Sequence, residues 1–243
     1  MAEALFWGII SASSLLLGGL LTFVIKVSSK PLGLIMGFGA GVLISAVAFE
    51  MAHKAIILSG RTGMAAIGLF AGCMTFYFGD RLIEKMGGHR RKAIHGAHGT
   101  QLAMPIILGI ILDGIPESLV IGLSLIDSNV VGYSFLIAVF LSNLPETIAA
   151  TAGLLAGGWR KRNIVALWLF VVLICGLASM AGFAFFDDAS KPTQSFVQSF
   201  AGGAILVMLA DTMMPEALSH GGKLAGVFTT IGFALAVAVS FLG

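Results

Sequence analysis

Eight apolar runs, each long enough to cross a bilayer as a helix, leave this chain few alternatives to a membrane fold. Charged or Gly/Pro-rich clusters break the runs and predict helices over 4–26, 32–58, 62–84, 102–125, 130–157, 163–186, 195–218 and 223–242. A helix of about 20 apolar residues matches the hydrocarbon thickness of a membrane. Lipid offers nothing to hydrogen-bond an open backbone, so runs of this length read as helices rather than strands. Composition agrees, because 58% of the residues are hydrophobic and only 11% are charged, against about 25% charged in a typical soluble domain. The expected class is an all-α integral membrane protein with eight transmembrane helices. Its longest connection is 85–101, so residues 1–243 read as one membrane domain with no soluble module.

Other features narrow the function classes. The net charge is +2, and no basic stretch is long or aromatic-rich enough for nucleic acid. Cys73 and Cys175 both lie in apolar runs, where a thiol behaves as a small hydrophobe, so neither a disulfide framework nor a CxxC metal motif is expected. The start, MAEALFWGII, has no basic region ahead of its apolar stretch and reads as part of the first span rather than as a cleaved signal. Lys and Arg are distributed unevenly between the two sides. Lys54, Arg61 and Lys191 fall on the side of the N-terminus, and the other eleven fall opposite, including Arg90, Arg91, Lys92, Arg160, Lys161 and Arg162. The positive-inside rule then puts both termini outside the cytoplasm, in a plasma (inner) membrane.

Two internal similarities suggest a repeat. Leu112-Asp-Gly-Ile-Pro-Glu-Ser-Leu119 in the fourth run resembles Leu141-Ser-Asn-Leu-Pro-Glu-Thr-Ile148 in the fifth. Phe38-Gly-Ala-Gly41 resembles Phe200-Ala-Gly-Gly203 less clearly, and coincidence in an apolar alphabet explains that pair equally well. Consecutive spans are antiparallel, so a shared motif there is what an inverted 3+2+3 repeat produces, with a site near the bilayer midplane.

Ionisable groups inside spans cost about 2.5–3.5 kcal/mol each even on insertion scales, and each needs a reason. Asp113, Glu117 and Glu146 are the deepest. Asp113 and Glu117 are four apart, as are Ser142 and Glu146, so each pair shares a helix face. Asn143 sits three before Glu146. Pro116 and Pro145 precede the two glutamates; a mid-helix proline kinks the helix and leaves the carbonyl four residues earlier without its donor, here Leu112 and Leu141. Carboxylates clustered in low dielectric share protons or hold a cation. The plain alternative is protonated glutamates that bond helix to helix.

Nearer the membrane edges, Glu50 and His53 form an ExxH pair, and Asp211, Glu216 and His220 occupy the later part of the seventh run. With the orientation above they line an outer and an inner mouth, or they simply reach interfacial water. His89, His95 and His98 lie in the 85–101 connection beside Arg90, Arg91 and Lys92. Neutral histidine is a common metal ligand, so this segment reads as weak metal capture, or as a solvated loop against anionic lipid.

Over essentially the whole chain, this pattern resembles the ZIP (Zrt/Irt-like) metal transporters. That family has His-Asn-x-Pro-Glu-Gly in helix 4 and a related stretch in helix 5; here the corresponding residues are Asp113-Gly114-Ile115-Pro116-Glu117-Ser118 and Ser142-Asn143-Leu144-Pro145-Glu146-Thr147. AGGAILVMLADTMMPEA also resembles the family's seventh helix. The resemblance implies a divalent cation (zinc, manganese or ferrous iron) as substrate, no organic cofactor and no enzymatic activity. It also implies a homodimer in lipid, and an elevator in which helices 1, 4, 5 and 6 move against 2, 3, 7 and 8. Glu117, Asn143 and Glu146 carry over as ligands, with Asp113 in place of the family histidine and Ser142 at the first helix-5 position. Run 163–186 has no acidic residue, which argues against a second metal. Without imidazole the donors are all oxygen, a set that suits harder ions such as manganese better than zinc. A metal sensor that does not transport, an intramembrane hydrolase and a proton-coupled carrier of another solute remain as alternatives; no HExxH motif occurs for the hydrolase.

Overall fold

A computed structural model describes residues 1–25, 28–60, 62–85, 103–128 and 133–240. Among them the chain forms eight helices and no strand: α1 (Ala2–Thr22), α2 (Ser29–Ser59), α3 (Met64–Ile83), α4 (Ala103–Ser128), α5 (Tyr133–Ala156), α6 (Lys161–Phe186), α7 (Lys191–Gly221) and α8 (Leu224–Ser240). The first seven are long and apolar enough to cross a membrane, and α8 is apolar but shorter.

Local chemistry explains several boundaries. Ser190 caps α7 by accepting from the Thr193 N–H, with Pro192 in the first turn, where its missing N–H costs nothing. Gly63 at φ 73 precedes α3, and Gly222 at φ 62 ends α7; both hold the left-handed region that glycine enters freely. Pro116 and Pro145 lie inside α4 and α5, which continue through them.

Helices α2 and α7 each contain one π-helical segment, Val47–Ala52 and Leu209–Met213. There the His53 N–H bonds the Ala48 carbonyl and the Met214 N–H bonds the Leu209 carbonyl, five residues back. In α7 the wider turn falls just before Pro215, which has no N–H for the Asp211 carbonyl and would crowd it in a regular helix. In α2 the segment receives an outside donor, Gln198 Nε2 of α7, at 2.9 Å from the Glu50 carbonyl oxygen.

Helix directions follow from the residues that meet. Along α2 and α7, Ala55 meets Ser195, Met51 meets Gly202, Gly39 meets Met213 and Gly33 meets Gly221, so the two run antiparallel. Helices α3 and α7 run parallel, as do α2 and α8. Their closest approaches are glycine to main chain. A β-carbon on Gly41 would fall on the Thr229 carbonyl, and one on Gly232 on the Phe38 carbonyl. Likewise, a β-carbon on Gly203 would fall on the Leu69 carbonyl, and one on Gly72 on the Phe200 carbonyl. The two weakly similar stretches, 38–41 and 200–203, therefore make the same contacts with different partners.

Helices α1, α4, α5 and α6 have an apolar core of their own, built from Leu15, Ile110, Leu154, Ile164, Trp168 and Val171 among others. Ser179 Oγ donates to the Ala4 carbonyl at 2.8 Å, and Trp168 Nε1 to Thr151 Oγ1 at 3.0 Å. A second core joins α2, α3, α7 and α8, and extends onto the C-terminal part of α4 (Val120, Ile121, Leu125) and the N-terminal part of α5 (Phe135, Leu136, Val139).

Candidate metal site at the helix 4 and helix 5 prolines

The deepest ionisable residues expected from the sequence are buried. Asp113, Glu117, Ser142, Asn143 and Glu146 are each 5% exposed or less. Burying an ionised carboxylate in an apolar setting is prohibitive without compensation; Asp113, Glu117 and Glu146 all take part in hydrogen-bonded or electrostatic interactions. One oxygen of each of the first two, Asp113 Oδ1 and Glu117 Oε2, is buried and accepts no hydrogen bond among the described residues.

The surroundings bring in residues that the sequence did not single out. Ser118 and Thr147, each next to a glutamate in the chain, are buried, and Thr147 Oγ1 donates to the Asn143 carbonyl at 2.7 Å. Helix α6 contributes Cys175, whose thiol is within hydrogen-bond reach of Ser118. Its sulfur lies 3.0 Å from where a β-carbon on Gly114 would stand, so a larger residue at 114 would displace it. Facing α5, Gly39 of α2 lets the main chain close in: its β-carbon position is 3.1 Å from Ser142 Cα and 3.6 Å from the Leu141 carbonyl oxygen, the one Pro145 cannot bond. Met213 of the α7 π segment reaches the same glycine. The seam at Ser142 thus joins α5 to both π-containing helices.

Among the described residues, no three His, Cys, Asp or Glu side chains stand close enough together to hold a metal ion. Any cation here would need the amide of Asn143, the hydroxyl of Ser142 or main-chain carbonyls to complete its oxygen shell. No protein-family model matches the chain.

The edge residues divide. Glu50 is half-buried in the α2 π segment and His53 is exposed one turn on. Glu216 and His220 are half-buried on α7. His220 Nδ1 lies 2.9 Å from the Glu216 carbonyl oxygen; a carbonyl only accepts, so Nδ1 is the donor in this contact. Asp211 is exposed and lines a groove against α3 with Tyr77, while Met213, two residues on, points towards Gly39. His89, His95 and His98 lie outside the described residues. A polar stripe on α7 went unread in the sequence: Gln194, Ser195, Gln198 and Ser199 are all buried. Their i, i+1, i+4, i+5 spacing was the signal, one polar face on a helix otherwise read only for its charges.

Proposed function

We propose that the chain is a carrier of divalent metal cations with eight transmembrane helices in an inverted 3+2+3 repeat. The observation that carries this reading is the burial of Asp113, Glu117, Asn143 and Glu146 on two proline-interrupted helices. Charge that deep in an apolar helix pair has a use in holding or relaying cations. The matched glycine contacts of 38–41 and 200–203 support the repeat. So does the place of the π segments, each starting nine residues after the phenylalanine (Phe38 to Val47, Phe200 to Leu209). Such bulges gather at functional sites.

In this reading α1, α4, α5 and α6 are the moving bundle, and α2, α3, α7 and α8 the scaffold. The core around Leu15, Ile110, Leu154 and Trp168, which belongs to α1, α4, α5 and α6 alone, supports that division. Apolar packing joins the bundles at the end where α4 leads into α5, which charge asymmetry assigns to the outside. Towards the other end the seam has a smaller cluster around Leu32, Met36 and Ala149, next to a cavity of about 370 Å³ lined by Leu21, Pro31, Ile35 and Ile148. Glu50 and His53 serve the outer mouth, and Glu216 and His220 the inner one, with His220 Nε2 as a transient ligand. Oxygen donors favour manganese or ferrous iron over zinc, and the functional unit is a homodimer in the plasma membrane with both termini outside.

Uptake into proteoliposomes tests the reading. Wild type takes up manganese, whereas Glu117→Ala and Glu146→Ala do not. Normal transport by both variants would remove the site from the mechanism, and zinc outcompeting manganese by orders of magnitude would refute the selectivity.

A further inference from the structure

The cavity of about 370 Å³ between α1, the start of α2 and α5 has an apolar wall of Leu21, Ile25, Pro31, Ile35 and Ile148. Leu21, Ile25 and Ile35 are also exposed at the molecular surface, so the cavity opens to the outside of the helix bundle. An apolar void stays dry, and in a bilayer hydrocarbon fills it. Its two hydroxyl linings differ. Thr22 Oγ1 donates to the Gly18 carbonyl at 2.8 Å, whereas the exposed Ser28 hydroxyl makes no capping bond to α2.

Charge at the rim selects the occupant. Lys30 is exposed and next to Pro31 in the chain. Lys161 Nζ stands 5.2 Å from the centre of the Phe23 ring, which follows Thr22. The surrounding segments supply no acid to answer them: the sequence has no Asp or Glu between Glu3 and Glu50, and none between Glu146 and Asp187. His220 of α7 meets Gly33, which brings Glu216 to this end of α2, but Lys30 forms no ion pair among the described residues. Two ammonium groups over an apolar cavity attract a phosphodiester and repel a headgroup that carries its own cation. The Lys and Arg asymmetry assigns this end to the cytoplasm, whose leaflet carries anionic lipid. We propose that the cavity holds the acyl chain of an anionic phospholipid, whose phosphate rests on Lys30, Lys161 and the Ser28 hydroxyl. The proposal needs the membrane embedding of the chain but not its transport of metal.

The test is lipid retention by the full chain in nanodiscs of phosphatidylcholine doped with phosphatidylglycerol or phosphatidylethanolamine of the same acyl chains, read by native mass spectrometry. Wild type retains phosphatidylglycerol about tenfold over either zwitterionic lipid, a ratio equivalent to about 1.4 kcal/mol. Lys30→Gln with Lys161→Gln removes that preference; both side chains are exposed, so the fold is not at stake. Lys85→Gln, at the same end but on α3, leaves the preference intact, and Ile35→Trp, which fills the cavity, lowers retention of phosphatidylglycerol. Equal retention of the three lipids by wild type overturns the proposal, as does a preference that survives the paired lysine substitutions. A loss as large in Lys85→Gln overturns it too, because attraction is then spread over the whole basic face. Unchanged retention by Ile35→Trp removes the acyl chain from the cavity. Efficient cross-linking of Ile35→Cys between two copies also overturns the proposal, because a second chain then covers the cavity.

Discussion

Adjacent glycines on α7 provide a sharp test of the packing, because the structure assigns their alanine variants opposite signs. At Gly202 a β-carbon has ordinary contacts with Met51 and Val47, the nearest at 3.7 Å. Alanine there gains helix propensity, about 1 kcal/mol, without crowding. At Gly203 the same atom falls on the Leu69 main-chain carbonyl, which can retreat only if α3 moves away from α7. Overpacking costs about 3 kcal/mol at the upper end of its usual range, which exceeds the propensity gain and leaves a net loss of about 2 kcal/mol. The repeat adds a second arm: Gly41→Ala meets the Thr229 carbonyl in the same way and should lose a similar amount. Reversible unfolding in mixed micelles reads all three variants against wild type. Equal effects at Gly202 and Gly203 would refute the close approach of α3 and α7, and a harmless Gly41→Ala beside a damaging Gly203→Ala would break the equivalence of the two stretches.

Thr151→Val should destabilise by about 1–3 kcal/mol, because it leaves the buried Trp168 Nε1 donor without its acceptor, whereas Thr151→Ser keeps the hydroxyl and most of the stability. Manganese at about a hundred times its dissociation constant should stabilise wild type by about 2.7 kcal/mol and leave Glu117→Gln and Glu146→Gln unshifted in thermal unfolding; equal shifts would show that the metal binds elsewhere. Cysteines at Gly39 and Ser142, which lie against each other here, should cross-link and arrest transport if α5 moves along α2. Transport that continues with the cross-link formed would show that this seam does not move.

Much of the helix order was legible because lipid imposes length and apolarity. The fifth run, expected over 130–157, is observed as Tyr133–Ala156. The seventh, expected over 195–218, extends to Lys191–Gly221. Hydropathy missed its first turn because Lys191, Thr193 and Gln194 look like loop, whereas Ser190 caps them and Gln194 Nε2 donates to the Phe186 carbonyl. The proline-glutamate pair stood out because acidic residues are rare in apolar runs. Phe38-Gly-Ala-Gly41 and its counterpart were explained equally well by coincidence, since glycine is frequent in membrane helices and only the carbonyls facing Gly41 and Gly203 distinguish contact from chance. The π segment of α2 had no readable sign in a run that is apolar on most faces, whereas Pro215 marked the place of the one in α7. Cys175 and Gly114 also could not be paired in advance: their juxtaposition depends on how α6 sits against α4.

The closest main-chain approaches also show where the molecule is stiff. Gly8 of α1 meets Gly176 of α6, Gly18 of α1 meets the Leu144 carbonyl of α5, and Gly122 and Gly182 join α4 to α6. Gly33, Gly41, Gly72, Gly203 and Gly232 join α2, α3, α7 and α8 to one another. Contacts this tight interlock helices, and close-packed interiors resist continuous deformation. Across the seam, Gly39 meets the Ser142 main chain at 3.1 Å, as close as Gly8 is to Gly176, whereas Gly79 meets only the Leu112 side chain at 3.4 Å. Side chains can change rotamer or exchange neighbours as helices slide, whereas a carbonyl set against a glycine must stay or separate. In the proposed carrier these two groups of four helices would each move as a unit, and the boundary between them runs past the buried carboxylates of α4 and α5.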